Sequence, residues 1–117
     1  MENLTLKEKI TRLSDELAQF VYPLTYKFPS EEKYALGDQI RRSIVSVPAN
    51  IIEGSARGGK KEFKQFLDIA YASLKEAKYL IYFANKQKFI SDADYSIFQP
   101  KSEELSKLLF SLIKALR

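Results

Sequence analysis

Residues 60–81 read KKEFKQFLDIAYASLKEAKYLI, and their apolar spacing decides the fold. Phe63, Phe66, Leu67, Ala70, Leu74, Ala77 and Ile81 recur at intervals of three and four, the repeat that places one buried stripe along an α-helix. Gly58 and Gly59 stand just before it, which predicts a helix from about Lys60 to about Gln87. Moving towards the N-terminus, Leu36, Ile40, Ile44, Val47 and Ile51 show the same period. They predict a helix that starts at Ser30, with Ser30 as N-cap and Glu31 and Glu32 at the positive end of the helix dipole, and runs to about Ala56. Leu6, Ile10, Leu13, Leu17, Phe20, Val21 and Leu24 mark another over about 5–26. Towards the C-terminus, Ser91 caps a last helix with Asp92 and Asp94 in its first turn, continuing through Leu105, Leu108, Leu109, Leu112, Ile113 and Leu116. Four helices with short connections predict an all-α, up-down four-helix bundle, with residues 1–117 as one domain. Two prolines act on it. Pro48 removes the helical hydrogen bond to the Ile44 carbonyl, so a kink is expected there. Pro100 kinks the last helix or splits it, Ser102 with Glu103 and Glu104 being a plausible restart.

Composition narrows the chemistry. With 117 residues, 45% of them hydrophobic, one core can form. The sequence has no Cys and no His, which excludes disulfides, thiol catalysis, His-based triads and most zinc chemistry. Carboxylate, lysine or tyrosine mechanisms remain. No signal-like start and no apolar run of ~18 residues is present, so a soluble, unprocessed, cytoplasmic protein with no membrane partner is expected. The net charge of +4 is concentrated: residues 57–88 hold eight basic side chains against three acidic ones. Such an excess can attract polyanions.

Within the second predicted helix, Val45, Pro48 and Ile52 adjoin the main apolar face and widen it to nearly half the circumference. A monomeric bundle needs one stripe, so the extra width suggests a second subunit, the alternative being that this helix is simply central in the bundle. The other side carries Gln39, Arg42, Ser46, Asn50, Glu53 and Arg57. This stripe is either a binding site or a structural network, in which Arg42 or Arg57 pairs Glu53 and the Ser and Asn side chains satisfy carbonyls freed at Pro48. Along the third helix, Lys60, Lys64, Tyr71, Lys75, Lys78 and Tyr82 form a line of cations and aromatics. Lysines suit phosphates and flat rings suit exposed bases; the alternative is a solvated lysine face with tyrosines at a subunit rim. Arg57, Lys60, Lys61 and Lys64 extend the line around the turn.

Residues 54–61, GSARGGKK, nearly spell a phosphate-binding loop through Gly54, Gly59 and Lys60. Lys61 stands where a magnesium-binding hydroxyl belongs and a helix precedes it instead of a strand, so an interhelical turn is expected. Glu53 and Glu62 flank that turn, yet no nucleophile or oxyanion donor completes a site. No metal site, cofactor or catalytic residue is expected.

The stretch from Phe28 to Leu80 resembles the small bacterial four-helix proteins associated with intervening sequences in 23S ribosomal RNA genes. The resemblance runs through Phe28, Pro29, Glu32, Gln39, Arg42, Ser46, Pro48, Asn50, Glu53, Gly54, Arg57, Glu62, Phe63, Phe66, Leu67, Ala70, Ser73 and Glu76. Ile52 and Ala72 replace smaller residues usual in the family, and Lys88 stands where a glycine commonly closes the third helix. The resemblance implies a four-helix protomer. It also implies kinship with the accessory protein of diversity-generating retroelements, a homopentamer that binds nucleic acid and a reverse transcriptase. The function expected is that of a non-enzymatic, ring-like homo-oligomer, a pentamer, binding RNA or DNA through the basic side of the third helix. A reverse transcriptase or other protein is a further possible partner, and a protein-interaction scaffold with no direct nucleic-acid role is the alternative.

Overall fold

Thr5 turns the backbone into a helix by accepting a 3.1 Å hydrogen bond from the Glu8 amide, and the computed structural model, which describes residues 4–117, proceeds from there. Helix α1 spans Leu6–Leu24, with Pro23 in its last turn, and passes into a 3-10 turn at Thr25–Lys27. A four-residue helix α2 (Ser30–Lys33) follows, then α3 (Leu36–Ala56), α4 (Lys60–Lys86) and α5 (Asp92–Ala115). All regular structure among the described residues is helical.

The four long helices form a closed square. α1 packs on α3, α3 on α4, α4 on α5 and α5 on α1, and neither diagonal pair comes as close. Neighbours are antiparallel. Ser46 meets Ser73 and Gly54 lies against Phe66 between α3 and α4, while Tyr71 meets Phe110 and Tyr82 meets Tyr95 between α4 and α5. The core is aliphatic, with Ile10, Leu17, Ile40, Ile44, Ile51, Leu67, Leu74, Ile81, Leu105 and Leu109 fully enclosed. Extents of 43 × 30 × 20 Å describe a slab about two helix diameters thick.

One sequence expectation needs correction and two are sharpened. The second helix does not run from Ser30. Pro29, and not Ser30, occupies the cap position of α2, and the backbone breaks at Tyr34 and Ala35 before α3 begins. Buried Arg41 holds this break in place: its guanidinium donates to Thr25 Oγ1 (2.6 Å) and the Lys33 carbonyl (2.8 Å) and pairs with Asp38. Its Cζ also lies 4.3 Å from the Tyr26 ring centroid, within cation–π range. Secondly, of the two outcomes open at Pro100, a kink or a split, the split does not occur. α5 is continuous, and Ser102 is buried with its hydroxyl bonded to the Gln99 carbonyl instead of capping a restart. Thirdly, Pro48 is buried within a continuous α3 and is not part of the exposed apolar margin.

The remaining boundaries agree with expectation. Ser91 caps α5 by accepting from the Asp94 amide at 3.1 Å. Gly58 has φ +81° in the turn between α3 and α4, a value costly for a residue with a Cβ. Lys88, at φ +68°, takes the left-handed position that closes α4. The Phe89 amide there donates to the Ala84 carbonyl (2.8 Å) and the Lys88 amide to the Asn85 carbonyl (2.9 Å). That pair of bonds is the Schellman arrangement, ordinarily built with glycine.

Candidate nucleic-acid interface

The basic residues singled out from sequence sit on two helix ends and one long face. Arg57 follows α3, and Lys60 opens α4. From Lys60 to Tyr82 the helix rises about 33 Å at ~1.5 Å per residue. The candidates therefore form a strip along α4, not a pocket.

Their surroundings differ. Lys60, Lys61 and Lys75 are exposed and make no ion pair among the described residues. Arg57 pairs with Glu53 at 3.0 Å and lies 5.1 Å from the Phe66 ring centroid. Lys64 pairs with Asp68 one turn on, at 2.8 Å. Lys78 is turned towards α5, where it pairs with Glu103, and its side chain is 17% exposed. That hydrogen bond, reinforced by the lysine charge, holds the Glu103 carboxyl below its ordinary value. Tyr71 is half-buried against the core and 6.2 Å from the Phe110 centroid, with Lys75 Nζ 5.1 Å from its own centroid. Tyr82 is exposed. The line of cations and aromatics thus runs along the α4–α5 seam, which absorbs Lys78 and Tyr71 and leaves the lysines at the start of α4, with Lys75 and Tyr82, facing water.

The polar stripe of α3 divides as well. Ser46 Oγ meets Ser73 Oγ at 2.9 Å, and the Asn50 amide donates to Ser46 O (2.7 Å) and Oγ (2.9 Å), which ties α3 to α4. The network expected around Pro48 exists, but Asn50 serves the Ser46 carbonyl and not that of Ile44. Gly54 is part of the same close approach: a Cβ there would sit 2.6 Å from Phe66 Cβ. Since Gly54–Ala56 are helical, the GSARGGKK stretch is an interhelical turn. Above the serine pair, Gln39, Arg42, Ser43, Ser46, Ser73 and Glu76 line an open cleft of about 380 Å³. Among the described residues Arg42 and Glu76 form no ion pair, so both charges are available in the cleft.

The residues that carried the family resemblance now separate into two roles. Gly54 lies against Phe63 and Phe66 where α3 packs on α4 and Leu67 and Ala70 are buried in the core, whereas Gln39, Arg42, Ser46, Ser73 and Glu76 line the cleft. The profile described as 23S rRNA-intervening sequence protein matches residues 7–111. The chain belongs to that family. A solved structure, described as a protein of unknown function from the S23 ribosomal protein family of Bacteroides thetaiotaomicron VPI-5482, is similar to it at 26% identity. The similarity covers 94% of this chain and 99% of that one, with a TM-score of 0.83. Among curated proteins nothing matches. No helix among the described residues is long and apolar enough to cross a membrane.

Sequence reasoning missed two features of this intervening-sequence protein. Arg41 was masked by its neighbour Arg42, since nothing local tells which of two adjacent arginines turns inward. Tyr79, Phe83 and Lys86 were left off the candidate line, although Tyr79 and Phe83 stand opposite the core stripe of α4, where a solvated helix ordinarily carries polar residues.

Proposed function

We propose that the protein is a non-enzymatic homo-oligomer that binds nucleic acid through the outer face of α4. The observation that carries this reading is the set of Lys60, Lys61, Lys75 and Lys86, all exposed and without acidic partners among the described residues. Cations so placed along one helix can release counterions from a phosphate backbone. Self-association draws on a different face. Val45 and Ile52 on α3 are 42% and 57% exposed, beside exposed Tyr22 at the end of α1. That face would be covered in a ring of copies, and five is the number in the retroelement accessory protein that the chain resembles. No catalytic role is proposed: Arg57 engages Glu53, and Glu62 is solvated at the start of α4.

The ion pairs of Lys64 with Asp68 and of Lys78 with Glu103 favour one alternative, a scaffold that recognises protein alone, because they remove two cations from the strip. Fluorescence anisotropy with labelled DNA and RNA across a salt series separates the readings. Nucleic-acid binding predicts affinity that falls steeply with salt. A Lys60→Ala, Lys61→Ala, Lys75→Ala variant should then bind more weakly and with a shallower log–log slope, by roughly 0.7–0.9 for each phosphate that the lysines no longer neutralise. No binding at low salt would overturn it in favour of the scaffold.

A further inference from the structure

Four aromatic rings gather where α4 leaves the lysine strip. Tyr79, Tyr82 and Phe83 are 60%, 44% and 40% exposed on α4, and Tyr95 joins them from the first turn of α5. Ring centroids are 6.4 Å apart for Tyr79–Tyr82, 6.3 Å for Tyr79–Phe83 and 6.5 Å for Tyr82–Tyr95, and the planes are tilted by 39–60°. Rings in that relation do not cover one another's faces, so π surface of Tyr79, Tyr82 and Phe83 stays open to solvent, while Tyr95 is half-buried against the core. Burial raises the pKa of the Tyr95 hydroxyl, and nearby Tyr82 and Glu103 raise it further, so this ring stays neutral.

The charges around the cluster are mostly positive. Lys86 Nζ lies 5.5 Å from the Tyr82 centroid, Lys75 precedes Tyr79 by one turn, and Lys88 follows in the closing turn. Of the acidic groups nearby, Lys78 engages Glu103, and Asp92 accepts a 2.9 Å hydrogen bond from Asn85. Glu76 lines the cleft on the α3 side, and Glu32 shares a shallow depression with Phe83, where Arg42 stands as a cation beside them both.

From this arrangement we infer that the Tyr79–Tyr82–Phe83–Tyr95 cluster is a stacking platform for unpaired bases, so that the preferred ligand is single-stranded nucleic acid. The inference rests on the nucleic-acid reading above and adds strandedness and a location to it. Stacking decides the strandedness. In a duplex both faces of each base are covered by its neighbours, so exposed ring faces can be met only by bases drawn out of that stack. Aromatic faces accept any base, and the flanking lysines meet its backbone, a combination suited to sequence-tolerant single-strand binding.

The test is anisotropy with labelled single-stranded oligodeoxythymidylate and with the same strand in a duplex. Four proteins are compared: wild type, Tyr79→Ala/Phe83→Ala, Tyr79→Phe, and Lys60→Ala/Lys61→Ala. The platform predicts that wild type prefers the single strand. It predicts that Tyr79→Ala/Phe83→Ala weakens single-strand binding by roughly tenfold or more and leaves duplex binding unchanged, and that Tyr79→Phe, which keeps the ring, binds as wild type does. Equal losses on both ligands, or no loss while Lys60→Ala/Lys61→Ala still weakens binding, would overturn the platform and leave the nucleic-acid reading standing. Wild type that binds neither ligand would overturn both. A fall in solution mass of Tyr79→Ala/Phe83→Ala, with binding intact, would assign the rings to an interface between copies and so overturn the platform.

Discussion

Lys88 shows what one backbone angle costs. A side chain at φ +68° meets its own carbonyl, a penalty of about 1–2 kcal/mol, and glycine avoids it while losing about 0.5–1 kcal/mol more conformational entropy on folding. Lys88→Gly is therefore expected to raise stability by about 0.5–1 kcal/mol, seen as a higher urea midpoint with unchanged slope. Gly54 is the opposite case. Its missing Cβ is what allows Phe66 Cβ to come so near, and neither group is the free end of a flexible chain. Gly54→Ala should lower stability by about 1–3 kcal/mol through overpacking, read in the same denaturation experiment. The first position could be suspected from sequence, because a lysine stands where the family commonly has glycine. The second could not, since a glycine inside a helix does not announce whether it marks a turn or a close approach.

At the scale of elements, legibility followed locality. α4 and the start of α5 were readable because glycines, a Ser cap and a three–four repeat are signals within a few residues. The break before α3 was not. SEEKYAL is made of tolerable helix formers, and it is divided by Arg41 reaching back to Lys33 and Thr25 from further along the chain. Within the site, the lysine line was legible as composition, but the inward turn of Lys78 and Tyr71 depends on Glu103 and Phe110, more than twenty residues away. The Lys78–Glu103 pair fastens α4 to α5 in a pH-dependent way. A folded carboxyl held below its ordinary value contributes stability that is present above the unfolded value, near 4.5, and lost as pH falls through the folded one. The stability gap between wild type and Glu103→Gln should therefore be present at neutral pH and narrow as the solution is acidified below about 4.5, followed by thermal melts.

For the whole molecule, two dissimilar surfaces stand out: the exposed apolar margin of α3, with Val45 and Ile52, and the outer side of α4, with its lysines and rings. If the first is covered by neighbouring copies, light scattering should give a mass well above 13.5 kDa, and Val45→Asp/Ile52→Asp should return it to the monomer value with helicity retained. A monomeric wild type at micromolar concentration would refute the assembly. The connection between α3 and α4 has a consequence of another kind. Only Arg57–Gly59 join the two most extensively packed helices of the bundle, so their packing forms with little loss of chain entropy, whereas α1 reaches α3 across the whole Thr25–Ala35 crossover. The α3–α4 hairpin is thus the natural folding nucleus. In stopped-flow kinetics Gly54→Ala should act mainly by slowing refolding, and Glu103→Gln, which loosens the later-docking α5, mainly by hastening unfolding. The serine pair that ties those helices in the finished protein would then be among the first tertiary bonds the chain makes.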